Sequence, residues 1–169
     1  MADRQLLSWQ DVHSWTCNAC GLCCRGYRVP LRIDEYAKIA GQFGYDTMEF
    51  DLGKIYIRRG ANDRCVFQRF WQGKWLCTLQ AIKPLACKLY PFRISREPRG
   101  SGGEDGHYRY RNSELFIYLD PRCPGIRTGT PAREFAEKVL PEIAEIGLGL
   151  RVRQYYYTDY KVPLPVFRI

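Results

Sequence analysis

The chain has only 2 histidines among its 169 residues, and no serine, histidine and aspartate stand in an order that pairs a nucleophile with a base. Nucleophilic and hydrolytic catalysis are left without their usual parts. Long apolar runs are also missing, since nothing approaches the roughly 20 residues needed to span a bilayer. The opening Met1-Ala2-Asp3-Arg4-Gln5 leads into no hydrophobic stretch. No secretory signal is therefore expected, and a reducing, cytoplasmic setting is. Internal repeats and an adenosyl-cofactor fingerprint are absent as well.

What the chain does have is cysteine, 8 in all. Four fall in one short stretch, Cys17-Asn18-Ala19-Cys20-Gly21-Leu22-Cys23-Cys24, and the others are Cys65, Cys77, Cys87 and Cys123. Two residues between cysteines let a tight turn aim both sulfurs at one centre, and Gly21 removes a side chain where such a loop folds closely. Cys23 and Cys24 start on opposite sides of the backbone. One can complete this site while the other faces a second site or the core, and the spacing leaves open which does so. Four disulfides are the rival reading. A chain of this length buries a core without staples, however, and closely spaced thiols in a reducing compartment are metal ligands or catalytic groups more often than bridges. All eight cysteines are therefore candidate metal ligands.

With 46% apolar and 14% aromatic residues, the composition points to one globular domain over residues 1–169. The formal charge is +8, which counts every cysteine as neutral. Eight thiolates around two dipositive centres would lower it to about +4. Basicity is then weak evidence for a nucleic-acid partner.

The residues before Trp15 read as a short helix or arm, and Val29-Pro30-Leu31-Arg32-Ile33 alternates like a strand. Asp34 is the predicted N-cap of a helix with Tyr36, Ala37, Ile39, Ala40 and Phe43 on one face and Gly44 as its stop. Asp46 to Phe50 reads as a helical turn. Lys54 to Arg58 reads as a strand with Ile55 and Ile57 on one side. Cys65 to Cys77 predicts a hairpin turning at Gln72-Gly73, which would bring its two cysteines together. Cys87 lies between Pro84 and Pro91 in what reads as a stiff, irregular loop.

Residues 98–106, which hold Gly-Ser-Gly-Gly, read as a hairpin tip rather than a phosphate cradle, because no buried parallel strand precedes them and no helix follows. Leu115 to Leu119 is a predicted strand that delivers Cys123-Pro124-Gly125. Pro131 opens the last predicted helix, with Phe135, Ala136, Val139, Leu140, Ile143 and Ile146 on its face and a bend near Pro141. Tyr155, Tyr156, Tyr157 and Tyr160, among Arg151, Arg153 and Lys161, read as a terminal strand that packs some rings and exposes others. The fold class these patterns predict is α+β: short strands and two main helices around irregular cysteine loops.

The ordered cysteines, with Cys65-x-Phe67, the segment Lys83-Pro84-x-x-Cys87-Lys88-x-Tyr90-Pro91-Phe92 and Cys123-Pro124-Gly125, resemble the CxxCxxCC family of zinc- or iron-chelating domains, which includes the cysteine-cluster region of flagellin lysine N-methylase. The resemblance runs from Cys17 to about Ile126. Arginine is usual in the family where this chain has Lys83 and Lys88, and an isoleucine-tyrosine pair near Leu79-Gln80. The thiols are untouched by these differences, but a bidentate guanidinium is lost.

Thiolates accept both zinc and iron-sulfur clusters. Cys17, Cys20 and Cys23, with a remote Cys123 before proline, follow the bacterial ferredoxin arrangement and favour a 4Fe-4S cluster. Cys24, Cys65, Cys77 and Cys87 would make a consistent second set, one of several partitions the count allows. His13 is the nearer of two histidines able to replace a thiol, although a solvent-facing or capping role suits it better. The leading functional expectation is a cytoplasmic metalloprotein acting in electron transfer, redox sensing or support of a partner protein. One alternative is a zinc-stapled module that presents Arg58, Arg59, Arg64 and Arg69 to nucleic acid or an acidic protein. By the family resemblance, cluster-dependent methyl transfer to a protein lysine is the other.

Overall fold

The computed structural model describes residues 6–60, 62–99 and 103–155. In chain order the elements are β1 (Leu7–Ser8), β2 (Val12–Trp15), β3 (Pro30–Leu31), α1 (Ile33–Phe43), β4 (Met48–Asp51), β5 (Lys54–Ile57), β6 (Gln68–Trp71), β7 (Lys74–Cys77) and α2 (Leu85–Leu89). They continue with β8 (Phe92–Ser95), β9 (His107–Tyr110), β10 (Ser113–Leu119), β11 (Ile126–Thr128) and α3 (Leu140–Gly147). The chain is α+β, as its patterns predict. Its described residues gather into two compact units, one of residues 6–18, 88–99 and 103–155 and the other of residues 19–87 without residue 61.

In the first unit β10 is the central strand. It pairs antiparallel with β1 and β8, and also with β9, its hairpin partner. Leu115, Ile117 and Leu119 are each no more than 2% exposed, the period-2 signature of one strand face turned to a core. Phe135, Val139, Leu140 and Ile143 cover Ile117 and Leu119, and Val12, Trp15 and Phe92 complete the cluster. The predicted interruption near Pro141 takes the form of a π-helical turn over Phe135–Val139, in which the Leu140 N–H bonds to the Phe135 carbonyl. Widening the turn there suits a proline that has no N–H to give. The segment before Trp15 holds only one 3-10 helical turn, Trp9–Asp11, between two strands. Those strands are β1 and β2, paired with β10 and β11 respectively.

The second unit is built on a β3-β5-β4 sheet and the β6-β7 hairpin. Ile39 and Ala40 of α1 pack with Val29, Met48, Ile57, Phe67 and Leu79. Ala37, expected on that face, is exposed. Gly44 ends α1 at φ 86°, as its position predicts. Arg32 rather than Asp34 is the N-cap residue, because Asp34 is drawn to the Arg32 guanidinium and the Glu35 carboxylate takes the Arg32 N–H at 2.9 Å. The expected helical turn from Asp46 shrinks to Tyr45–Thr47, and the chain then extends into β4.

The other Glu35 oxygen accepts the Leu85 N–H at 2.7 Å, which ties α1 to the start of α2. Two bonds to one carboxylate give Glu35→Ala an expected cost of about 2 kcal/mol, read as a lower midpoint in urea. Glu35→Gln, which keeps one acceptor oxygen, should cost less.

Residues 100–102 of the glycine-rich loop and Tyr156, Tyr157, Tyr160 and Lys161 lie outside the described residues, whereas Tyr155 is exposed. Among the described residues no helix is long and apolar enough to cross a membrane.

Candidate metal centre

Six of the eight cysteines belong to the second unit: Cys20, Cys23, Cys24, Cys65, Cys77 and Cys87. The loop that carries the first three is shaped by Ala19 at φ 54° and Gly21 at φ 75°, after which a 3-10 turn spans Leu22–Cys24. It lies against the β6-β7 hairpin. The Trp75 N–H donates to the Ala19 carbonyl at 2.8 Å, and Gln68 Nε2 donates to the Gly21 carbonyl at 3.0 Å. Arg64 holds both hairpin residues, with its guanidinium 3.8 Å over the Trp75 ring and Nη1 donating to Gln68 Oε1 at 2.9 Å. A β-carbon on Gly21 would stand 2.3 Å from Gln68 Nε2 and 2.5 Å from Trp75 Cβ. This close approach is the physical reason for a glycine between Cys20 and Cys23.

The hairpin turns at Gln72 and Gly73, with φ 44° and 77°, as the sequence predicts. Both residues need positive φ, the requirement of a tight two-residue connection. Cys77 closes β7 opposite Gln68 in register, and the Cys65 N–H bonds to the Cys24 carbonyl at 2.8 Å. Loop and hairpin cysteines are thus joined through the backbone. Cys87 lies in α2, not in an irregular loop: between Pro84 and Pro91 there is room for a short helical turn, and the Cys87 N–H bonds to the Pro84 carbonyl at 3.0 Å.

Five thiols share one field. Cys23 and Cys24 touch at 3.7 Å between sulfurs. Cys24 is pushed up, first by its hydrogen bond to Cys23, then by burial and by the neighbouring Cys77 and Cys65. Burial pushes Cys65 up to about 11, with Cys77 and Cys23 adding to the rise. Cys77 and Cys87 are also raised, chiefly by burial, and the Lys83 ammonium opposes the rise in both.

Three sulfurs also receive a backbone N–H from two residues further on: Leu22 to Cys20 at 3.5 Å, Phe67 to Cys65, and Leu79 to Cys77. Donors aimed at a sulfur stabilise its thiolate. Cys20 is exposed, while Cys65, Cys77 and Cys87 border the second core. Cys24, Cys65, Cys77 and Cys87, with Cys23, stand near enough to act on one another's thiols.

Cys17 and Cys123 belong to the first unit and pack on the edge of its core. Trp15 Nε1 donates to Cys123 Sγ at 3.4 Å, and the Thr16 N–H bonds to the Gly125 carbonyl at 3.1 Å. A side chain on Gly125 would strike the Thr16 carbonyl, which accounts for the glycine of Cys123-Pro124-Gly125. His13 is exposed in that same unit, with Nδ1 2.8 Å from the Thr130 carbonyl. Among the described residues no group of three or more histidine, cysteine, aspartate or glutamate side chains stands at metal-coordinating positions. Sequence reasoning missed Gln68 and Trp75 as supports of the loop and Lys83 as a buried neighbour of the thiols. The loop that Gln68 and Trp75 hold is distant from them in the chain, whereas Lys83 stands four residues before Cys87 and its burial is what the sequence leaves unmarked.

Soft thiols gathered with N–H donors on their sulfurs have the chemistry of a zinc or iron site, and the α+β chain that holds them is of the metal-binding cysteine-cluster class. A family model covers residues 16–124, the CxxCxxCC family, described as "Putative zinc- or iron-chelating domain". The chain belongs to that family. No curated protein and no solved structure matches it.

Because burial holds these thiols in the neutral form, metal uptake has to expel their protons. Loading zinc at pH 7 should release about one proton per ligating thiol, and acid should drive the metal off. Proton release into a weakly buffered indicator measures this. Uptake without release would exclude the raised thiols as ligands.

Proposed function

We propose that Cys23, Cys24, Cys65, Cys77 and Cys87, with Cys20 at the exposed rim, hold an iron-sulfur cluster, and that Cys17 and Cys123 are a further thiol pair. In this reading the protein acts in the cytoplasm, in electron transfer, redox sensing or support of a partner protein. The supporting observation is the shared field of five thiols, three of the site's sulfurs having a backbone N–H directed at them. A bound cluster would supply one-electron chemistry, and hydrogen bonds to its sulfurs are among the features that set its potential. The chain's own residues would fix the thiols: Gln68 and Trp75 hold the Cys20 to Cys24 loop, and α2 presents Cys87.

A protein partner suits the surface better than nucleic acid. Of the four arginines in the basic alternative, Arg59 is paired with Asp63 at 2.5 Å and Arg58 faces Asp46 at 3.9 Å. The phosphate-binding charge is correspondingly reduced.

The test is metal and acid-labile sulfide content with an ultraviolet-visible spectrum, on protein purified without oxygen. Iron with matching sulfide and a broad band near ~400 nm is the expected result. Zinc without sulfide would replace the cluster with a structural ion, a reading favoured by the way Cys65, Cys77 and Cys87 border the second core.

A further inference from the structure

We infer that the Cys20 to Cys24 loop and the tip of the β6-β7 hairpin form a docking face for an acidic protein, beside the exposed thiol of Cys20. The inference rests on the reading that the centre serves a partner protein, and is the same for iron or zinc. Residues 19–33 and 64–87 hold no aspartate or glutamate. The carboxylates among residues 19–87 all stand elsewhere, paired with Arg28, Arg32, Lys38, Arg58 and Arg59. Loop and hairpin carry Arg25, Arg64, Arg69 and Lys74.

The backbone brings these cations onto one surface. Arg25 faces Arg64 across an antiparallel bridge, a placement that like charges disfavour and that an anionic partner would relieve. The Arg64 guanidinium lies over the Trp75 ring, and the Phe70 ring packs on Trp75 with centroids 4.9 Å apart. At the tip Phe70 and Trp71 are 59% and 56% exposed. Tryptophan and arginine are residues in which protein interfaces concentrate their energy. Four thiolates around a dipositive centre carry about −2, so four cations would leave the loaded face at about +2.

An acidic protein surface complements that charge and can bury both rings. A nucleic-acid backbone fits less well, because it follows cations along a groove. Arg59, bridged to Cys65, is already held by Asp63, and the cationic run ends there. Electron-transfer encounters bury less than about 1,200 Å², an area within the reach of one loop and a hairpin tip.

The test uses the full chain loaded with zinc and a fluorescent peptide rich in glutamate and aspartate with interspersed leucine, its binding rates read by stopped flow. Arg25→Gln combined with Arg69→Gln should slow association about tenfold and flatten its dependence on salt. Trp71→Thr, which keeps a strand-forming residue, should speed dissociation about tenfold. Lys38→Gln combined with Lys54→Gln removes the same charge from exposed positions on α1 and β5, and should change neither rate by more than about twofold. Zinc content should match the parent in every variant.

An equal loss in the lysine pair, or no binding of the peptide, would overturn the inference and leave the metal centre standing. Tighter binding of a single-stranded oligonucleotide or of phosphatidylglycerol vesicles through the same residues would overturn it in favour of those partners. If the parent takes up neither zinc nor iron while the peptide still docks through Arg25, Arg69 and Trp71, the metal reading fails and the docking face stands.

Discussion

Gly21→Ala should unfold or badly weaken the residue 19–87 unit and abolish its metal uptake, at a cost of about 2–5 kcal/mol. Two effects add. An L side chain at the Gly21 φ of 75° incurs the left-handed penalty of roughly 1–2 kcal/mol. The new methyl would also meet Gln68 Nε2 and Trp75 Cβ at 2.3 and 2.5 Å, and overpacking of that kind costs about 1–3 kcal/mol. The Gln68 tip can yield, but Trp75 Cβ is anchored to a strand and cannot. Gly73→Ala is the control. It has the same sign of φ, 77°, and nothing within 4 Å of the added carbon, so it should cost only about 1 kcal/mol and leave metal uptake unchanged. Urea midpoints and zinc stoichiometry for both variants separate the two effects. Equal costs at the two glycines would mean that the loop does not press on the hairpin as described.

The same two glycines show what was legible in the sequence. Gln72-Gly73 and Gly44 were readable because their backbone demands are local, a positive φ that glycine meets without strain and Gln72 accepts in a tight turn. The hairpin and the end of α1 followed directly. The segment before Trp15 was not readable in this way, since its partners are distant: Leu7 pairs with Leu119, and Trp15 with Ile126. Its polar composition suits a helix or arm until those strands are supplied. Asp34 has the chemistry of a cap, but it lies inside the first turn, where the neighbouring Arg32 captures it.

At the site, the spacing of cysteines identified the thiols and not their supports. Gln68 and Trp75 reach the Cys20 to Cys24 loop from about 50 residues away, and Lys83 stands out in the sequence only by its place where the family usually has arginine, not by its burial. The prolines around Cys87 suggest a stiff, irregular loop. Pro84 precedes α2 and Pro91 follows it, positions where proline interrupts no helical hydrogen bond.

Metal removal should act on one set of amides far more than on the other. Val29, Ile39, Ala40, Met48, Ile57, Phe67 and Leu79 form the core of the unit that carries six cysteines, and Cys65, Cys77 and Cys87 are part of its boundary. Structural metal contributes roughly 10 kcal/mol or more in small sites, comparable with the whole stability of a domain, about 5–15 kcal/mol. If those cysteines share an ion, as proposed, its removal would leave neutral thiols with nothing to hold the β6-β7 hairpin and α2 together. Hydrogen exchange in α1, β5, β6 and β7 should accelerate by about a thousandfold or more, equivalent to ~4 kcal/mol of lost protection.

The other unit has a central strand, β10, bonded on both sides, and a core of Val12, Trp15, Phe92, Ile117, Leu119, Phe135, Val139, Leu140 and Ile143, with two cysteines, Cys17 and Cys123, packed at its edge. Amides of β8 and β10 should keep most of their protection. The comparison is internal to one protein, so differences in pH or temperature between samples do not blur it. Equal acceleration in both sets would make the metal a requirement of the whole fold. No acceleration in either would show that the thiols do not staple the core they border, and the centre would then have to be explained by its chemistry alone.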